Sequence, residues 1–149
     1  MTGTRDDRGA RDEAKETAMK SVLLVEDEPG IAIAPEFLLK REGYDLRRVE
    51  DGEAALSAMR DRRPDLILLD VMLPKRDGFD VCQTMRLDPA LSDVKIVMMT
   101  AKGAWTEVAK GEALGADAYM VKPFSNSELT RQLRELLEEE GPPADAQDA

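Results

Sequence analysis

Short apolar runs alternate with longer amphipathic stretches along this chain. Four runs of four residues lie at Val22–Val25, Leu66–Leu69, Ile96–Met99 and Ala118–Val121. Each is too short for a helix and is typical of a buried strand. We predict a fifth strand at Asp45–Val49, where two arginines interrupt the apolar pattern, as expected at a sheet edge.

The stretches between these runs have helical periodicity. After Ser125, which with Glu128 makes a capping box, four leucines fall on one helical stripe. They are Leu129, Leu133, Leu136 and Leu137. A second stripe consists of Phe79, Cys82 and Met85. Strands that alternate with helices indicate βα units and a parallel sheet.

The predicted fold class is therefore α/β, a doubly wound five-stranded parallel sheet with helices on both faces. We expect the flavodoxin-like strand order 2-1-3-4-5. Pro35 lies within the first helical stretch, where an interior proline loses a hydrogen bond and clashes with the carbonyl of Ile31 at a cost of about 3 kcal/mol. We expect this helix either to begin late or to be kinked.

Composition divides the chain into three parts. Residues 1–20 are highly charged and predict a disordered or weakly helical extension, residues 21–140 one domain, and residues 141–149 a disordered polar tail. The formal net charge of −10 disfavours direct nucleic-acid binding, and the apolar runs are too short to span a membrane. One cysteine, Cys82, excludes an internal disulfide, which fits a cytoplasmic location.

Polar residues follow four of the predicted strands. They are Glu26 and Asp27 after the first run, Asp70 after the second, Thr100 after the third and Lys122 after the last. Because parallel strands end at the same edge of a sheet, we expect three carboxylates, a hydroxyl and an ammonium in one cleft.

These groups suit phosphoryl transfer to an aspartate. Crowded carboxylates attract a divalent cation, and Mg²⁺ takes one or two carboxylates, waters and a phosphate oxygen. Aspartate is a nucleophile that forms aspartyl-phosphate, and Asp70 has the central position. A lysine and a metal then balance the phosphoryl charge, and a hydroxyl fixes one oxygen.

Four segments resemble the response-regulator receiver family, over about residues 21–140. They are Val22–Pro29 (VLLVEDEP), Asp65–Gly78 (DLILLDVMLPKRDG), Lys95–Lys102 (KIVMMTAK) and Gly115–Phe124 (GADAYMVKPF). The resemblance, closest to single-domain members like the chemotaxis regulators, implies a switch in two-component signalling, not a conventional enzyme. It would take a phosphoryl group from a sensor histidine kinase or a histidine phosphotransfer protein.

The same resemblance implies individual roles. Asp70 would be phosphorylated, with Thr100 and Lys122 assisting. Mg²⁺ would be bound by Glu26, Asp27, Asp70 and the backbone carbonyl of Met72. Thr100 would act as a switch together with Tyr119.

Three alternatives stay open: a phosphatase with a transient Asp70 nucleophile, a binding module that has lost phosphorylation, and a receiver fragment of a longer transcriptional regulator. The position two residues after Asp70, where such phosphatases have a second acid, is Met72. We expect the output to be a downstream protein target or a homodimer. Mixed charges suggest the homodimer: Asp117, Arg131, Arg134, Glu135 and Glu138.

Overall fold

Five parallel strands form one sheet in the computed structural model of the chain, which describes residues 19–101 and 105–137. The strands are β1 (Ser21–Val25), β2 (Asp45–Val49), β3 (Leu66–Asp70), β4 (Lys95–Ala101) and β5 (Ala118–Lys122). The helices are α1 (Pro29–Arg41), α2 (Gly52–Asp61), α3 (Gly78–Leu87), α4 (Trp105–Leu114) and α5 (Asn126–Leu137). The sheet order is β2-β1-β3-β4-β5, which confirms the predicted order and the doubly wound fold.

The sheet separates two hydrophobic clusters. Alternate residues of one strand belong to opposite faces: Leu23 packs with α2 and α3, whereas Leu24 packs with α1 and α5. β1 and β3 are buried along their whole length, but every residue of β2 is only half-buried. The arginine-containing strand is therefore an edge strand, as its sequence indicates.

Helix α5 confirms its predicted stripe and the Ser125 half of its predicted capping box. Leu129, Leu133 and Leu137 are buried, and the Ser125 hydroxyl accepts a hydrogen bond from the backbone N–H of Glu128 at 3.1 Å. These contacts hold the start of α5 just after the end of β5, beside the cleft described below.

Helix α1 runs from Pro29 to Arg41 with Pro35 inside it. The alternative of a late helix start is therefore wrong, since α1 begins at Pro29. At this first position a backbone N–H would have no acceptor within the helix, so a proline there loses no hydrogen bond. Pro35 itself is buried, so the apolar packing of its ring offsets part of the cost of the missing N–H.

Two parts of the predicted domain organisation fall outside the described residues. Residues 1–18 and 138–149 belong to the proposed extension and to the end of the chain, so those boundaries stay predictions. Within the described ranges, no helix is both long and apolar enough to cross a membrane.

Candidate phosphoryl-acceptor site

The carboxyl ends of the strands enclose a cleft of about 690 Å³. It is lined by Glu26, Asp27, Asp70, Met72, Thr100 and Lys122, together with apolar residues of α1 and α5. Asp70 and Lys122 are the last residues of their strands and Thr100 is the last but one, so these three residues lie within the strands and do not follow them. The structure therefore brings together all the predicted site residues except Tyr119.

Strand register sets the relative heights of these side chains. Asp70 pairs with Met99, and Thr100 pairs with Val121 one step further along the sheet. Lys122 pairs with Ala101. Asp70, Thr100 and Lys122 thus lie at three successive residue levels on three adjacent strands.

Three carboxylates form the acidic part of the cleft. One oxygen from each of Glu26, Asp27 and Asp70 lies within 4.8 Å of the other two. Glu26 and Asp70 are buried, whereas Asp27 is exposed. An all-oxygen donor set open to solvent on one side fits a hard cation such as Mg²⁺, which binds few carboxylates and keeps several waters.

Lys122 connects two of the carboxylates. Its Nζ donates hydrogen bonds to Asp70 Oδ2 at 2.8 Å and to Glu26 Oε1 at 3.1 Å. Burial by itself lowers the pKa of Lys122, but the hydrogen bonds and charges of both acids outweigh burial and raise it. The lysine is therefore a permanent cation at neutral pH.

Burial has the opposite consequence for Glu26. Removal from water raises the pKa of this carboxyl, and the hydrogen bond and charge of Lys122 only partly oppose the shift. Its Oε2 also accepts a hydrogen bond from the backbone N–H of Glu28 at 3.3 Å. Burial thus makes the negative charge of Glu26 less favourable than that of a carboxylate in water, and Lys122 offsets part of this cost.

Backbone groups orient the acceptor. Asp70 Oδ1 accepts a hydrogen bond from the N–H of Met72 at 3.2 Å, while its Oδ2 contacts Lys122. The Thr100 hydroxyl is buried at the cleft wall, where its one hydrogen bond among the described residues is a long one, 3.5 Å, to the carbonyl of Ala101. That hydroxyl can change partners at little cost.

Tyr119 lies away from the cleft. Its ring packs against the cluster that contains α3, and its hydroxyl is buried against Gly111 of α4. Burial, with smaller contributions from Glu112 and Cys82, raises the pKa of Tyr119 to about 12. Its proposed role with Thr100 stays a prediction.

Two features of the site come from packing between distant segments. Arg48 of β2 donates a hydrogen bond from Nε to the backbone carbonyl of Glu26 at 3.1 Å, so an edge-strand arginine supports the acidic pair. The apolar part of the cleft comes from Ile31, Phe124 and Leu129. The sequence marks Leu129 as a core residue of a helix, but the position of these side chains at the cleft depends on how α1, β2 and α5 pack around the sheet.

Comparison with known proteins decides the family. Residues 22–134 match the sequence profile of the response regulator receiver domain. The chain belongs to the receiver domain family of response regulators. This receiver is 43% identical to the DNA-binding response regulator MtrA of Mycolicibacterium smegmatis over 122 residues, 82% of this chain and 52% of MtrA.

Solved structures agree with this assignment. A response regulator from Chloroflexus aurantiacus has a TM-score of 0.78 at 33% identity and covers 80% of this chain and 98% of its own. The receiver domain of the sensor histidine kinase PA1611 from Pseudomonas aeruginosa has a TM-score of 0.75 at 31% identity. This match covers 81% of this chain and 99% of the PA1611 chain. That structure has a magnesium ion coordinated in its active-site cleft.

The receiver spans about half the length of the curated relatives that it matches. Because MtrA is named a DNA-binding response regulator, the expected absence of nucleic-acid binding gains no support from these relatives.

Proposed function

We propose that this receiver accepts a phosphoryl group on Asp70 from a phosphohistidine and signals through the change in shape that follows. The observation that carries the proposal is the position of Asp70. Its carboxylate is buried in an open cleft, hydrogen-bonded to a lysine and within 4.8 Å of two further carboxylates. A structural ion pair alone would not need the two extra acids, which repel one another.

The transfer step uses the chain's own groups. A carboxylate oxygen of Asp70 attacks phosphorus, an O–P bond forms, and the P–N bond to the donor imidazole breaks. The imidazole leaves with the bonding electrons and takes a proton. Lys122, already at Asp70 Oδ2, offsets the charge of the incoming phosphoryl oxygens, and the weakly bonded Thr100 hydroxyl donates to one of them.

Mg²⁺ is the proposed cofactor. Glu26, Asp27, Asp70 and the backbone carbonyl of Met72 would hold it, with Glu26 and Asp27 supplying most of the negative charge. When bound, the ion neutralises charge on the phosphoryl oxygens and helps to align them.

A sensor histidine kinase or a histidine phosphotransfer protein is the proposed donor, and the cytoplasm the proposed location. A downstream protein target or a homodimer would receive the signal. Several charges that suggested the homodimer are engaged within the chain. Asp117 bonds Arg86 at 2.8 Å, Arg131 pairs with Glu135 at 3.3 Å, and Arg134 with Glu42 at 3.5 Å. These contacts favour a heterologous target over charge-driven self-association, and Glu138 lies outside the described residues.

Labelling with a small acyl phosphate tests the proposal. In Mg²⁺ the purified chain should gain one base-labile phosphoryl group per molecule, whereas Asp70→Asn should gain none, because an amide is a poor nucleophile. Asp65→Asn, a change of the same type at the other end of β3, is the matched control and should be labelled like the parent. Labelling of Asp70→Asn at the parent's rate, or undiminished labelling in EDTA, would overturn the proposal.

A further inference from the structure

The loop of residues 71–77, between β3 and α3, carries the proposed metal-binding carbonyl of Met72. Both ends of this loop are fixed. The N–H of Gly78 donates to the carbonyl of Val71 at 2.8 Å, and the N–H of Met72 bonds the acceptor carboxylate at 3.2 Å. Since Met72 is only two residues from Pro74, a displacement at the loop's apex is transmitted to it.

The apex of the loop has a strained turn. The N–H of Arg76 donates to the carbonyl of Pro74 at 2.7 Å, which closes a three-residue turn around Lys75. Lys75 has φ +70°, in the left-handed region that glycine tolerates and lysine seldom adopts. Such a conformation persists only where the surroundings impose it.

The first turn of α2 imposes it. The N–H of Gly52 donates to the carbonyl of Pro74 at 3.3 Å, so the helix N-terminus holds the turn from outside. A Cβ at Gly52 would lie 2.5 Å from Arg76 Cβ and 2.8 Å from its carbonyl carbon, and would overlap the carbonyl oxygen. Only glycine allows the loop to lie this close to α2.

Ion pairs at this contact are secondary. Arg76 Nε lies 3.2 Å from Glu53, and Lys75 Nζ lies 3.8 Å from Asp51. The Lys75 and Glu53 side chains are largely exposed, and exposed pairs contribute about 0–1 kcal/mol each. The backbone approach at Gly52 therefore determines the position of the loop.

We propose that Gly52 is a positioning residue for the metal site: the first turn of α2 holds residues 74–76 and thereby fixes Met72, whose backbone carbonyl is a proposed Mg²⁺ ligand. The inference rests on the proposed function, because it assumes that Mg²⁺ binds in the cleft. It adds a helix on the far side of the loop to the groups that determine metal affinity.

Gly52→Ala in the full chain tests this, with Gly30→Ala as the matched control. Both glycines lie in the first turn of a helix, but a Cβ at Gly30 meets nothing within 4 Å. Mg²⁺ titration by calorimetry should show affinity about tenfold weaker for Gly52→Ala, the size of effect found for groups that orient metal ligands. Gly30→Ala should bind like the parent.

Melting temperature separates positioning from general stability. Mg²⁺ should raise the melting temperature of the parent and of Gly30→Ala, and raise that of Gly52→Ala clearly less at the same concentration. A variant that melts lower in EDTA but keeps the full Mg²⁺-dependent increment would show a merely structural glycine and overturn the inference.

A second variant changes the loop itself and leaves α2 unchanged. Lys75→Gly leaves the Gly52 contact intact and suits a positive φ, so it should fold, yet it loosens the turn and should weaken Mg²⁺ binding in the same direction by less. Parent affinity in both variants would overturn the inference. A parent chain that binds no Mg²⁺ would instead overturn the proposed function.

Discussion

In the part of the chain that the structure describes, buried polar groups are hydrogen-bonded in the cleft but not at the contact between α4 and β5. In the cleft, Glu26 and Asp70 share the Lys122 ammonium at hydrogen-bonding distance. At the other contact, the Tyr119 hydroxyl is buried against Gly111 and, within the described residues, has no hydrogen-bond partner. An unpaired buried hydroxyl loses its hydration without compensation. The difference suggests that the cleft is preorganised, whereas Tyr119 can leave its position at low cost.

Lys122→Met removes the cation from the preorganised cleft and should have the largest effect on stability among these variants. Two buried carboxylates lose their common partner, so we expect the free energy of unfolding in EDTA to fall by about 2 kcal/mol. This is less than for a fully buried pair because the Lys122 side chain is 23% exposed. Urea unfolding measures it, with Lys40→Met on the exposed surface of α1 as control.

Repeating the urea unfolding in Mg²⁺ tests whether the lost stability comes from the missing positive charge. A divalent ion supplies positive charge to the same carboxylates, so Mg²⁺ should restore part of the stability that Lys122→Met loses. Equal unfolding free energies for Lys122→Met and Lys40→Met in EDTA would contradict a coupled site.

Gly111→Ala tests the contact between α4 and β5. A Cβ there would overlap the Tyr119 hydroxyl and lie 2.9 Å from Cζ, so the ring must move. The strain exceeds the helix propensity that alanine gains, and we expect a net loss of about 1 kcal/mol. Absorbance at 295 nm during alkaline titration should show the Tyr119 pKa moving down from about 12 as the ring becomes exposed. A tyrosine titration identical to the parent's would mean that the ring stays in place.

Tyr119→Phe should have the smallest effect at neutral pH, because it removes a hydroxyl without a partner among the described residues. We expect the unfolding free energy to stay level or rise by less than about 1 kcal/mol. In the parent, folded Tyr119 keeps its proton up to about pH 12, while an unfolded tyrosine loses it near pH 10. The folded parent thus binds more protons in this window and loses stability as the pH rises, and Tyr119→Phe should lose less.

The features of this molecule that depend on local sequence pattern could be predicted from the sequence. The bounds of β2, Asp45–Val49, were predicted to the residue, and the two arginines correctly indicated an edge strand. The gathering of Asp70, Thr100 and Lys122 followed from strand direction alone. Contacts between distant segments were beyond it: the approach of Gly52 to Arg76 and the contact of Arg48 with Glu26 depend on packing across 22 or more residues.

Pro35 and Tyr119 illustrate two further limits. The chemistry of an interior proline predicted a late start or a kink in α1; the helix begins at Pro29 and continues past the buried Pro35, and the kink stays a prediction. The sequence placed Tyr119 in β5, yet the side of the strand on which it packs, and its contact with Gly111, depend on α4.

The most direct test of the central claim is to locate the phosphoryl group itself. The chain is phosphorylated with a small acyl phosphate in Mg²⁺, reduced with borohydride, which converts an aspartyl-phosphate to homoserine, and mapped by peptide mass spectrometry. We expect homoserine at position 70 alone. Homoserine at position 27, or phosphate retained on Thr100 with Asp70 unchanged, would contradict it.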